Sequence, residues 1–151
     1  MNVKEVITLG RNKLDENGLS EWKIKAERAY SRAGVCFSYE KEIRISKQYI
    51  EIMSDEDILD TIFHEIAHAI IGIGHGHDNV WKKKCLDLGC RPNRLLSNEF
   101  QVERKWVAVC SACGARFGRM KRAKERRWCG ECDNKMIGHG LKFKPNIKYK
   151  G

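Results

Sequence analysis

The chain has 151 residues, 42% of them hydrophobic and 32% charged, with a net charge of +9. That length suits one compact domain with a small accessory module, and the composition is ordinary for a soluble globular protein. No apolar run approaches the roughly 18–20 residues that span a bilayer, and Met1-Asn2-Val3-Lys4-Glu5 lacks the apolar core of a secretion signal, so an intracellular, cytoplasmic chain without a membrane partner is expected.

Asn2 is placed to cap a first helix over about Val3–Asn17, with Gly18 as its stop. Trp22, Ile24 and Ala26 alternate with charged residues and predict a half-buried strand, and Ala33–Tyr39 and Glu42–Ser46 predict two more. Ser54-Asp55-Glu56-Asp57 reads as a capping box with Asp in place of the usual Glu, and Met53 and Ile58 can close a hydrophobic staple over it. Ile58, Leu59, Ile62, Phe63, Ile66, Ala69 and Ile70 then recur at helical spacing, and Gly72, Gly74 and Gly76 end that helix in a turn. Asp78 caps a third helix over Asn79–Leu88, with Trp81, Cys85 and Leu88 facing the core and Gly89 as its stop. The domain boundaries expected are 1–92, a linker at 93–101, and a module at 102–151. That module has few aliphatic residues and needs a structural metal as a staple.

His64 and His68, four residues apart on the strongest helix, present both imidazoles on one face. Two such nitrogens can bind one zinc at about 2.0–2.1 Å. Glu65, in the His-Glu-x-x-His arrangement, reaches the attacking water rather than the metal and serves as general base. A catalytic zinc needs a third protein ligand, and His75 and His77 both follow in the glycine-rich turn. The longer form of the motif, with Gly at 71 and His at 74, does not fit, since those positions hold Ile71 and Gly74. A glutamate ligand on the next helix does not fit either, because Asn79–Leu88 contains none and Glu99 is remote.

Gly34-Val35-Cys36, Ile43-Arg44-Ile45-Ser46, His64-Glu65-Ile66-Ala67-His68-Ala69 and Gly74-His75-Gly76-His77-Asp78-Asn79-Val80-Trp81 together resemble a SprT-like domain, the family of the bacterial SprT proteins and the eukaryotic protease Spartan. The resemblance covers about Leu19–Gly89 and continues into the cysteine module. It implies a zincin-like α+β fold with the His-Glu-x-x-His helix packed on a short sheet, a catalytic zinc, and protein substrates bound or crosslinked to DNA. The family's third ligand is a His four residues before an aromatic, commonly followed by Gly. Here His77 stands four before Trp81, whereas His75 precedes Gly76. His77 is favoured because Trp81 anchors the helix behind it; His75 is the alternative, or else a substrate-facing or solvated group.

Cys110-Ser111-Ala112-Cys113 and Cys129-Gly130-Glu131-Cys132 lie 15 residues apart. Two Cys-x-x-Cys pairs at that spacing predict one closed tetrahedral structural zinc in a β-rich ribbon, a second ion without catalytic duty. His139 is not expected to be a ligand, because the four cysteines complete the site. Glu103–Trp128 holds nine basic residues against two acidic ones. Arg116, Arg119, Lys121, Arg122, Lys124, Arg126 and Arg127, interleaved with Phe117 and Trp128, suit phosphate contacts, with DNA as the expected partner. For each aromatic taken singly, packing in the ribbon's small core is the stronger expectation. The function expected is that of a zinc endopeptidase brought to DNA by its ribbon. The alternatives are a non-proteolytic nucleic-acid-binding protein with a structural or degenerate His-Glu-x-x-His site, and a peptidase for one regulatory protein.

Overall fold

The computed structural model describes residues 1–92, 100, 102–132 and 140–149. The linker expected at 93–101, Phe100 apart, together with Glu99 and His139, lies outside the described residues. The chain divides into two compact units, Met1–Val102 and Glu103–Gly151. Among the described residues no helix is long and apolar enough to cross a membrane.

The first unit is α+β. Its helix α1 (Val3–Glu16) opens with a full capping box: Glu5 N donates to Asn2 Oδ1 at 3.0 Å and Asn2 N donates to Glu5 Oε2 at 2.7 Å. Three strands follow, β1 (Lys23–Glu27), β2 (Gly34–Phe37) and β3 (Glu42–Ser46), in the order β1-β3-β2. β3 pairs in parallel with β1 and antiparallel with β2. As the central strand, β3 buries Ile43 and Ile45 on its apolar face and also buries Glu42, whose carboxylate meets Lys25 Nζ at 2.5 Å and Arg44 Nε at 2.6 Å. Gly10, buried in α1, permits that helix to lie close to β1, since a Cβ there would run into Ile24 Cδ1.

One turn of helix, α2 (Lys47–Ile50), continues β3 and was not expected from the sequence. Four residues carry too little periodicity to declare a helix, and it depends on Ser46 Oγ accepting from Tyr49 N. The long helix α3 (Asp55–Ile71) packs on β2 and β3 through Ile58, Ile62, Ile66 and Ala69. Ser54 caps it as expected, but the reciprocal half of the box is replaced. Ser54 Oγ donates to Asp57 Oδ2 at 2.6 Å while accepting from Asp57 N at 3.1 Å, because Asp is one methylene shorter than the Glu that reaches back to the cap's own N–H. Helix α4 (Asn79–Leu88) has the expected bounds, with Asp78 as N-cap and Gly89 left-handed at φ 78°. Beyond it Arg91 is fastened to α3: its N–H donates to Asp60 Oδ1 at 2.8 Å and its guanidinium reaches Asp60 and Asp57 at 3.2 and 2.6 Å.

The second unit is β-rich. Strands β4 (Trp106–Val109), β5 (Arg116–Arg119) and β8 (Lys144–Pro145) form one sheet in the order β5-β4-β8, and β6 (Arg127–Trp128) pairs with β7 (Gly140–Leu141). Among the described residues its buried hydrophobic cluster is Ala108, Cys110, Cys129 and Leu141, with Phe117 among the residues packed on its edge. Trp128 does not join it: the indole is 44% exposed and lies under the Arg126 guanidinium, 4.5 Å from the ring centre.

Candidate metal centres and active-site cleft

The apolar positions of α3 turn toward the core, so His64 and His68, one turn apart, share a different face. The helix ends at Gly72, and the chain returns through 73–77 to the cap of α4, which directly follows His77. His77 Nε2 thereby comes within 3.1 Å of His64 Nε2 and 3.2 Å of His68 Nε2. His75 is not part of this triad. Its Nδ1 lies 2.7 Å from Asp78 Oδ2, while Asp78 Oδ1 accepts from Trp81 N at 3.0 Å. Those two bonds, His75 first, hold the Asp78 carboxyl below its ordinary value.

The indole of Trp81 is fully buried and lies against all three imidazole rings, with centroid distances of 4.6 Å to His64, 5.3 Å to His68 and 4.5 Å to His77. Burial, then the neighbouring imidazoles, pushes His64 down to about 3 and His68 down to about 4. Both rings are therefore neutral at physiological pH and offer lone pairs rather than protons. A single His77 nitrogen has one proton or one lone pair, and cannot satisfy two neighbours at once. A zinc ion bound at about 2.0–2.1 Å in tetrahedral geometry sets its nitrogens about 3.3–3.4 Å apart. The triad's spacing and donor type fit such an ion.

Glu65 belongs to the same site but to a drier part of it. It is only 6% exposed, and burial pushes its carboxyl up to about 8, against a smaller opposing pull from Arg32. β2 runs directly over it. A Cβ on Gly34 would stand 2.8 Å from Glu65 Oε1, 2.9 Å from Glu65 Cγ and 3.1 Å from Thr61 Cγ2, so only glycine permits this approach. Gly34 stands in one of the motifs that carry the family resemblance, but its contact with Glu65 joins residues 31 positions apart and has no local signal in the sequence. Arg32, whose guanidinium Nε and Nη2 contact Glu27 Oε1 at 3.2 and 2.9 Å, was also not foreseen.

These groups open on one cleft of 640 Å³. Its lining comes from segment 31–40, from Thr61, His64, Glu65 and His68 of α3, and from Gly72, Ile73, His75 and His77 of the turn. β2 is an edge strand. Ser46 N donates to Ala33 O at 2.7 Å, which fixes the alternation of the antiparallel ladder: the backbone groups of Val35 and Phe37 point toward β3, and those of Gly34 and Cys36 point away from it.

In the second unit the four cysteines converge. Cys110 Sγ lies 3.6 Å from Cys132 Sγ, and Cys113 Sγ lies 3.5 Å from Cys129 Sγ. Tetrahedral zinc at about 2.3 Å would place its sulfurs about 3.8 Å apart, so this set fits as well. The backbone N–H groups of Cys113 and Ala112 pull the Cys110 thiol down to about 6, whereas the other cysteine sulfurs, Cys113 first, hold Cys132 up. Four thiolates this close need a cation. Of the basic residues expected at nucleic acid, Arg116, Lys121, Arg122, Lys124, Arg126 and Arg127 are exposed and Arg119 is half-buried. Arg116 is engaged with Glu103 at 2.8 Å, and Arg122 lies 5.7 Å from the Trp106 ring centre.

A sequence profile of the SprT-like family matches residues 6–105, which includes every residue of the histidine site and stops short of the cysteines. The protein named "Protein SprT-like" of a Geobacillus species is 26% identical over 104 residues, covering 63% of this chain and 66% of that relative. The protein of the same name in Bacillus cereus is 24% identical over 101 residues, with the same coverage. The matched stretch spans just under two thirds of the length of each relative. With a profile matched over most of its length and three histidines of the matched region converging on one point, the chain belongs to the SprT-like family.

Proposed function

We propose that the protein is a zinc-dependent endopeptidase that acts on proteins associated with or crosslinked to DNA. The observation that carries this is the convergence of three imidazoles, two of them held neutral by burial, beside a buried glutamate in one open cleft. His64, His68 and His77 would hold the ion, and their three-nitrogen set leaves a position free for reactants. When bound, zinc lowers the pKa of water toward about 7 and polarises a carbonyl. Glu65 takes the proton of the attacking water on its carboxylate and returns it to the leaving amine nitrogen. Beside a divalent cation the ionised form of Glu65 is favoured, which reverses the effect of burial. Trp81 keeps the ligand rings in place, and Gly34 lets β2 close over the carboxylate and exclude water. The outward backbone groups of Gly34 and Cys36 suit pairing with an extended substrate segment.

DNA enters through the second unit. Met1–Val102 carries 15 basic and 16 acidic residues, whereas Glu103–Gly151 carries 14 basic and four acidic, so the whole basic excess belongs to the ribbon. Exposed arginines and lysines of that density favour phosphate contacts, and the exposed Trp128 is available for stacking on a base. The test is cleavage of a DNA-binding protein with and without DNA, comparing the wild-type chain with Glu65→Gln. Wild type is expected to cleave, faster with DNA, and Glu65→Gln to retain zinc while losing at least about a hundredfold in rate. Equal cleavage by the two chains would disprove the mechanism. DNA binding without cleavage would favour a non-proteolytic binding protein, and cleavage indifferent to DNA a peptidase docked through its ribbon on one regulatory protein.

A further inference from the structure

The cleft has one polar side chain on its 72–77 wall that the mechanism leaves unused. Gly72 has no side chain, Ile73 is apolar and His77 belongs to the triad, which leaves His75. Its ring is not a loose surface group. Nδ1 is fastened to Asp78 Oδ2 at 2.7 Å, and the other oxygen of Asp78 caps α4 at Trp81 N. The imidazole is thus tied to the start of the helix that supplies Trp81, the common support of all three ligand rings. With Nδ1 engaged, Nε2 is the one polar ring atom left to the cleft. The side chain is 38% exposed, so a ligand can reach it.

We infer that His75, oriented by Asp78, is a substrate-contacting residue whose Nε2 hydrogen-bonds the backbone of an extended polypeptide lying in the cleft. A chain paired with the free edge of β2 directs alternate backbone groups toward that strand and the others away from it. Those pointing away need a partner once water is displaced, and the 72–77 wall offers His75. The substrate class is then an unfolded or locally extended segment held from two sides, rather than a folded surface. The inference rests on the endopeptidase reading and deepens it.

The test uses the full zinc-loaded chain with two probes, cleavage of an internally quenched peptide and binding of a peptidyl hydroxamate. His75→Ala is expected to raise KM about tenfold, the loss of one hydrogen bond to substrate, with kcat changed less than about twofold. Hydroxamate binding should weaken in parallel, with zinc content and melting temperature unchanged. His75→Gln, which keeps a polar atom at similar reach, should recover most of the loss. Asp78→Ser, which keeps a capping oxygen but cannot hold the ring, should fall between the two. A wild-type KM in His75→Ala, or failure of His75→Gln to recover, overturns the assignment and makes His75 a solvated turn residue. Loss of zinc in His75→Ala overturns it too, since His75 would then support the metal. A wild-type chain that neither cleaves the peptide nor binds the hydroxamate is a different result, which removes the endopeptidase reading itself and this inference with it.

Discussion

At the residue scale, the tightest constraint on the site is a missing atom. Gly34 lets β2 pass within contact distance of the Glu65 carboxylate, and a methyl group there would meet Glu65 Oε1 at 2.8 Å. Gly34→Ala is expected to displace Glu65, lowering turnover at least about tenfold and costing about 1–3 kcal/mol of stability; turnover and zinc content measured together check this, because zinc should stay bound. Titration gives a second expectation, for the chain stripped of metal by a chelator. His64 and His68 titrate near 3 and 4 when folded and near 6.5 when unfolded, so between those values the unfolded chain binds their protons and stability rises with pH. Glu65 acts in the opposite sense, titrating near 8 when folded and 4.5 when unfolded, so its contribution falls as pH rises across that window. Two imidazoles outweigh one carboxyl below 6.5; above it the carboxyl dominates, joined toward pH 8 by the Met1 amine, which Asp55 holds above its ordinary value and which acts in the same sense. The metal-free N-terminal unit should therefore be most stable near pH 6.5 and lose up to about 1.4 kcal/mol per pH unit toward pH 8. Melting curves in chelator from pH 5 to 8 test the shape, and a steady rise across that range would contradict it. The pairing of His64 with His68 was legible in the sequence because helix periodicity is local; the turn offered both His75 and His77, and His77, favoured through the family resemblance and the Trp81 anchor, is the one the structure brings to the other two. The roles of Gly34 and Arg32 were not legible, since they depend on which strand crosses α3.

At the element scale, α4 matters less as a helix than as the carrier of Trp81. Trp81→Ala should cost about 3–5 kcal/mol, as expected for truncating a fully buried aromatic. It should also weaken zinc binding at the histidines by loosening all three rings, whereas Trp81→Phe should retain most of the affinity. Competition with a chromophoric chelator measures both. The ends of α3 and α4 were readable because caps are made by side chains next to them in sequence: Ser54, Asp78 and Gly89 act where they were expected to. The one-turn α2 was not readable, nor was the parallel pairing of β1 with β3, which sets Lys23 opposite Glu42 although β2 separates the two strands in the chain. Strand order of that kind is decided by non-local packing. Trp128 shows the same limit, since an aromatic next to a cysteine knuckle reads as core until the sheet leaves it outside.

At the scale of the whole molecule, the two units are stabilised by different means. The first has an apolar core running from Val6 to Ala69, while the second, among its described residues, buries a hydrophobic cluster of four, two of them cysteines. Cys129→Ser is therefore expected to prevent zinc from binding at the four-cysteine cluster and to unfold the basic unit, and with it to abolish the salt-sensitive DNA binding proposed above. The melting transition of the N-terminal unit should stay where it is, as differential scanning calorimetry would show. The contrast between nitrogen and sulfur ligands also separates the hazards each unit faces. Mild acid threatens the histidine cluster by supplying protons to its nitrogens. Peroxide threatens the cysteine cluster by converting thiolates to sulfenic acid and disulfide, which ejects the metal and leaves imidazole untouched. On the proposed function, oxidative stress would thus cost the protein its hold on nucleic acid while the histidine centre stays assembled, a blade without its address.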